Sequence, residues 1–270
     1  MNKDFSLKDK VIVLTGGTGI IGKSFIKGIV EAGGAVCILG RNGAVAQDRA
    51  NELIKNGGKA LALVADVLDE TSLQKAKEQI LNQFGKIDGL VNAAGGNMPE
   101  AILQKGDDIF GMNMDGMRKA LDLNLWGTLL PSQIFGSAMI ENGGSIVNIS
   151  SMSAKRVITR VLGYSMGKAA VDCYTQWFAV ELANRYGDKL RMNAIAPGFF
   201  LTEQNRTLLT NMDGTYTERG NLVIQQTPFK RFGHTDELIG ALQWLLSDAS
   251  AFVTGTIINV DGGFFVNGGV

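Results

Sequence analysis

The apolar run Val11 to Thr15 passes into Gly16, Gly17, Thr18, Gly19, Ile20, Ile21 and Gly22, and a helical pattern follows at once. A strand that turns on glycines into a helix brings backbone amides and the positive end of a helix dipole to one point, which suits a pyrophosphate. Gly17, Gly19 and Gly22 satisfy the G-x-G-x-x-G spacing, and its place between a strand and a helix gives that spacing its weight. The chain holds 35 glycines in 270 residues, about 13% against an average near 7%, so glycine placement carries much of its information.

Short apolar runs alternate with longer amphipathic stretches along the rest of the chain, as expected of βα units around a parallel sheet. The pattern predicts seven strands, at 11–15, 35–39, 60–65, 89–92, 145–150, 191–195 and 256–260. Helices are expected at 20–32, 44–56, 70–84, 112–140, 163–186 and 235–246. Residues 199–230 break the rhythm with polar residues and glycines and end near Pro228, which reads as a long excursion able to act as a substrate lid. The expectation is one α/β domain over residues 1–270, with that lid.

Charge and composition narrow the partners. Twenty-six basic residues balance twenty-six acidic ones, so no cationic field exists to hold nucleic acid. No apolar stretch is long enough to span a membrane, and the first ten residues lack the apolar segment of a secretory signal, so a cytoplasmic protein is expected. Cys37 and Cys173 each lie in an apolar run and read as reduced core thiols. His234 has no Cys/His cluster around it, and no metal is expected.

Two further positions point to chemistry. After the second strand stand Gly40 and Arg41, where a carboxylate would accept the ribose 2′-hydroxyl of NAD. A glycine removes that carboxylate and a guanidinium can bind a 2′-phosphate, so NADP(H) is favoured and NAD(H) stays open. Later, Ser151, Tyr164 and Lys168 fall at intervals of thirteen and four. The second interval is one helical step, which sets Lys168 beside Tyr164, where its charge is expected to lower the phenol's pKa and ready it for proton transfer. Ser151, at the end of the fifth strand, is placed to hydrogen-bond a substrate oxygen that gains charge.

With the glycine turn, Ser151, Tyr164 and Lys168 resemble the signature of the short-chain dehydrogenase/reductase family, and the resemblance runs from about residue 7 to 263. It implies a single-domain Rossmann fold, a seven-stranded doubly wound parallel sheet with helices on both faces. It also implies a nicotinamide site built from Gly16 to Gly22, Arg41, Asn42, Asp66, Val67, Asn92, Ala93, Ala94, Gly95, Tyr164, Lys168, Pro197, Gly198 and Thr202. In that resemblance Asp66 contacts the adenine, Asn92 supports the site, Thr202 binds the nicotinamide amide, and Asn124 holds a water in a proton relay ending at Lys168. A homo-oligomer, dimer or tetramer, is implied. Two positions depart from the compact branch of the family: the middle glycine is Gly19 and not residue 20, and Ala93 stands where a second asparagine is common.

Residues 94–97, 196–206 and 213–219, with the glycine-containing tail, resemble a subgroup of that family, the D-mannonate/D-fructuronate oxidoreductases. That implies reduction of a sugar acid's ketone. A carboxylate needs a cation, and Asn97, Asn205, Arg206, Arg156 and Arg160 are the candidate substrate contacts, with Arg206 preferred for the carboxylate. Another sugar ketone such as a ketogluconate, a 3-oxoacyl thioester, or a non-catalytic NAD(P) sensor are the alternatives.

Overall fold

The computed structural model describes residues 5–202, 206 and 208–268. Seven strands form one parallel sheet: β1 Val11–Thr15, β2 Ala35–Gly40, β3 Ala60–Val64, β4 Gly89–Asn92, β5 Gly144–Ile149, β6 Leu190–Pro197 and β7 Ile257–Val260. Their order is β3-β2-β1-β4-β5-β6-β7, so the chain winds outward from β1 in one direction, then returns and winds outward in the other. The reversal lies between β1 and β4, where their carboxyl ends open a crevice, the position at which open α/β sheets bind ligands.

Alternation along the strands explains the layers. On β1, Val11 and Val13 join one core and Ile12 and Leu14 the other. The first core takes α3 (Glu70–Phe84), α5 (Gly127–Gly136) and α6 (Leu162–Tyr186) through Ile80, Phe135 and Leu182. The second takes α1 (Ile20–Glu31), α2 (Gly43–Lys55) and the helix Ile239–Leu246 through Phe25, Ala46 and Leu242. Strands buried on both faces read as continuous apolar runs, which is why their positions showed in the sequence.

Three expectations need correction. The single helix expected over 112–140 is α4 (Met114–Leu121), a π-helical turn at Asp122–Trp126, then α5. The excursion at 199–230 contains a helix, α7 (Glu218–Gln226), capped by Thr217, whose side chain accepts from the Gly220 amide; α8 is Ile239–Leu246. Cys37 is buried as expected, but Cys173 is exposed, because α6 presents that face outward. No helix among the described residues is long and apolar enough to cross a membrane, and among them no group of His, Cys, Asp or Glu could hold a metal.

Candidate active site

The turn after β1 is glycine-rich for steric reasons. Gly16 has φ +66, and a Cβ there would lie 2.6 Å from the Ala93 carbonyl oxygen. A Cβ at Gly22 would lie 2.4 Å from the Gly16 carbonyl oxygen, so α1 starts directly against the turn. Gly19 is the N-cap of α1 and offers no side-chain acceptor, which leaves the amides of the first helical turn to an anion. The Thr15 hydroxyl accepts from the Ala93 and Ala94 amides at 3.1 and 3.2 Å and ties the β4 loop to this turn. Arg49 on α2 donates to the carbonyls of Gly17 and Gly19, the latter at 2.9 Å. No local spacing links Arg49 to a turn some thirty residues earlier, and sequence reading missed it.

At the end of β2 a Cβ on Gly40 would lie 2.6 Å from the Thr18 hydroxyl oxygen. A side chain at residue 40 would thus meet Thr18, while the neighbouring Arg41 is exposed. Asn42 caps α2, its Oδ1 accepting from the Val45 amide at 3.2 Å. After β3, Asp66 Oδ1 accepts from the Leu68 amide at 2.9 Å, and Val67 is buried against Gly127. Asn92 is buried and braces β4: its Nδ2 donates to Ser132 Oγ and Asn148 Oδ1 at 2.8 and 2.9 Å. Pro197 ends β6, and a Cβ at Gly198 would strike the Asp261 backbone at 2.6 Å; Thr202 follows shortly after. Glycines forced by close backbone approach and uncapped helix amides together fit a dinucleotide.

Ser151 lies two residues past the end of β5, and Tyr164 and Lys168 lie one turn apart near the start of α6. The Ser151 hydroxyl hydrogen-bonds the Tyr164 phenol and accepts from the Ser153 amide and hydroxyl at 3.2 and 3.0 Å. Lys168 is buried, its Nζ donating to the Ile149 carbonyl at 2.7 Å and lying 5.6 Å from the centre of the Tyr164 ring. Burial lowers the Lys168 pKa to about 8, with Asp172 one turn on opposing the shift.

The expected lowering of the Tyr164 pKa is corrected here. Burial raises it, and the opposing influence is the hydrogen bond from Ser151. Spacing located the lysine correctly, but it could not show how deeply the phenol is desolvated. A raised pKa keeps the phenol protonated at neutral pH, which equips it to give a proton to a ketone.

Asn124 lies in the π-helical turn, a local irregularity often associated with functional sites. Its Nδ2 donates to the Gly96 and Ala120 carbonyls, both at 2.8 Å, and its Oδ1 accepts from the Gly96 amide at 3.0 Å. A Cβ on Gly95 would come within 2.8 Å of Asn124 Oδ1 and 3.0 Å of Lys168 Nζ, so the β4 loop, Asn124 and Lys168 converge.

A cavity of about 320 Å³ opens on Ser151 and Tyr164. Asn97, Gln104, Ser153, Arg160 and Arg219 give its wall polar groups, while Met152, Phe199 and Leu209 supply apolar surface. Among the described residues, no Asp or Glu lines it. Asn97 is one of the residues that line the cavity. Arg206 is exposed and does not line the cavity, and Asn205 lies outside the described residues. Arg156 donates to the Asn267 carbonyl at 2.9 Å. Arg219 was missed because its helix was read as irregular; Thr217 and Glu218, ahead of Leu222 and Val223, were the available capping signal.

The chain belongs to the short-chain dehydrogenase/reductase family: the family profile described as enoyl-(acyl carrier protein) reductase matches residues 18–265. It is an NAD(P)-dependent oxidoreductase of that family, acting on a small-molecule alcohol or ketone. It is 43% identical over 98% of both chains to an uncharacterized oxidoreductase, UxuB, of Bacillus subtilis. A solved structure of a candidate D-mannonate oxidoreductase from Haemophilus influenzae, with bound NAD, is 37% identical with a TM-score of 0.90, over 98% of each chain. A gluconate 5-dehydrogenase from Burkholderia cenocepacia, in complex with NADP and tartrate, is 31% identical with a TM-score of 0.85, over 97% of each chain.

Proposed function

We propose that the protein interconverts the ketone of D-fructuronate and the corresponding alcohol of D-mannonate, in the cytoplasm, with NADP(H) favoured over NAD(H). The observation that carries this reading is that Ser151 and Tyr164, with Lys168 buried behind the phenol, line a cavity whose wall bears two arginines, several neutral polar groups and no described carboxylate. That lining suits a polyhydroxylated acid. Gly40 and Arg41 support a 2′-phosphate, and likeness to the candidate D-mannonate oxidoreductase supports the substrate.

In this mechanism the turn from Gly16 to Gly22, Arg41, Asp66, the segment Asn92 to Gly95, Pro197, Gly198 and Thr202 hold the dinucleotide. A bound nicotinamide supplies or accepts the hydride. Ser151 hydrogen-bonds the substrate oxygen as negative charge grows on it, a stabilisation of a kind often worth several kcal/mol in transition states, roughly 3 to 4 where one such donor is removed. The Tyr164 phenol gives its proton to that oxygen in reduction and accepts one in oxidation. Lys168 keeps its Nζ 5.6 Å from the centre of the ring, beside the phenol that loses and regains the proton. Asn124 positions the β4 loop beside Lys168 and shapes the path by which a proton returns from solvent. Residues 199–230 act as a lid, contributing Phe199, Leu209 and Arg219 to the cavity. Exposed Trp126 and Trp177 support a dimer or tetramer.

The test is nicotinamide absorbance loss when purified protein meets D-fructuronate with NADPH or NADH. Rapid, fructuronate-dependent oxidation is expected, faster with NADPH; absence of turnover while the cofactor binds would reject the substrate. A second reading, a ketogluconate as substrate, is favoured by likeness to the gluconate 5-dehydrogenase, and the same assay with 5-keto-D-gluconate decides between them.

A further inference from the structure

We infer that Arg219 and Arg160 form a two-guanidinium seat for the substrate's carboxylate, and that Arg219 makes the enzyme select a keto acid over the neutral ketose of the same shape. The inference rests on the ketone-reducing reading above and adds the residues that would read the acid.

Arg219 stands in an electrostatically unfavourable place. It is in the first turn of α7, where the helix dipole favours anions and disfavours cations. It is partly buried and close enough to Arg160 for their charges to repel, and both influences weaken its hold on its proton. Among the described residues it has no hydrogen bond or ion pair, whereas Arg118, Arg185 and Arg231 each face a carboxylate, of Asp115, Glu181 and Glu237. A cation disfavoured by helix end, burial and neighbour together is the kind of local conflict that concentrates at functional sites.

Arg160 is held in place without being neutralised. Its Nε donates to the Leu103 carbonyl at 2.8 Å and its other donor reaches the Gln104 side chain, both uncharged acceptors. Its backbone has φ +78, a left-handed conformation rare for a side chain of this size, and that conformation keeps the residue on the cavity wall. The two residues come from different elements, the loop before α6 and helix α7, and meet on the wall that Ser151 and Tyr164 also line. A carboxylate between them accepts from both planar forks and cancels their repulsion, an arrangement a hydroxymethyl group cannot reproduce.

The test is calorimetric binding of D-mannonate and of D-mannitol to the full-length protein loaded with NADPH, a pairing that cannot react because alcohol and cofactor are both reduced. The wild type should bind D-mannonate well above D-mannitol. Arg219→Gln should lose about 10- to 100-fold in D-mannonate affinity, as expected for a charge-assisted hydrogen bond, with D-mannitol and NADPH affinities moving less than twofold. Arg219→Lys should fall between, and Arg160→Gln should repeat the loss if α7 tolerates no change. In turnover, Arg219→Gln should raise the KM for D-fructuronate by a similar factor and change kcat less than threefold. Equal binding of D-mannonate and D-mannitol, or a D-mannonate affinity unmoved by Arg219→Gln, would overturn the seat. Reduction of D-fructuronate with a KM that ignores Arg219 would sink the seat and leave the reaction standing. Arg219-dependent binding of D-mannonate without reduction of D-fructuronate would do the reverse.

Discussion

The two halves of the site are built by different means. At the cofactor half, between β1 and β4, main-chain atoms do the work: Gly16 and Gly22 are glycine because a Cβ would strike the Ala93 and Gly16 carbonyls. At the substrate half, side chains from segments far apart in the sequence, Asn97, Gln104, Arg160 and Arg219, surround the cavity. A backbone cradle is confined to one turn and tolerates little change, while a wall of side chains can be re-equipped one residue at a time. That difference lets one fold serve many substrates with one cofactor chemistry.

Several experiments would break or sharpen this contrast. The largest effect is expected at Lys168, which touches both halves: Lys168→Met should lower kcat about 100-fold or more, as for loss of an acid–base partner, measured by steady-state turnover. Next comes the cradle. Gly16→Ala forces a left-handed conformation and a backbone clash, with strain on the order of 1–3 kcal/mol, so cofactor affinity should fall roughly tenfold or more in fluorescence titrations of NADPH. An unchanged affinity would show that the turn is not steric in origin.

A pH profile separates the two directions of reaction. Because burial holds the Tyr164 phenol above its ordinary pKa, the proton donor for reduction is fully present at neutral pH, whereas oxidation needs the phenolate, which becomes commoner as pH rises. Oxidation of D-mannonate should therefore accelerate between about pH 6 and 8, approaching tenfold per unit, while reduction does not gain. A flat oxidation profile would count against Tyr164 as the base. The smallest effect should come from Arg41→Ala: an exposed charge of this kind is worth about 0.2–1 kcal/mol, so the KM for NADPH should rise by no more than about fivefold and that for NADH hardly at all.

The same contrast explains what could be read from the sequence. Strands β1 and β4 and helix α3 were placed to the residue, because buried apolar runs and the Asp69 cap are local signals. The glycine turn and the spacing of Ser151, Tyr164 and Lys168 were legible for the same reason. Arg49 and Arg219 were not, since each acts across a distance in the chain that only the folded sheet closes. Arg206 looked promising because it follows Thr202 closely, yet it is exposed and off the cavity wall; chain proximity is a poor guide where a loop leaves a strand. The direction of the Tyr164 shift was also beyond the sequence, because burial depends on everything packed around the ring.

The central claim is that the Tyr164 hydroxyl carries the proton while the cradle binds the cofactor independently of it. The most direct measurement is a paired one on Tyr164→Phe: NADPH affinity by fluorescence, and D-fructuronate-dependent NADPH oxidation under the same conditions. The account predicts affinity within about twofold of the wild type and turnover reduced by about 100-fold or more. Turnover near the wild-type rate would contradict it, and so would loss of NADPH binding in parallel with activity.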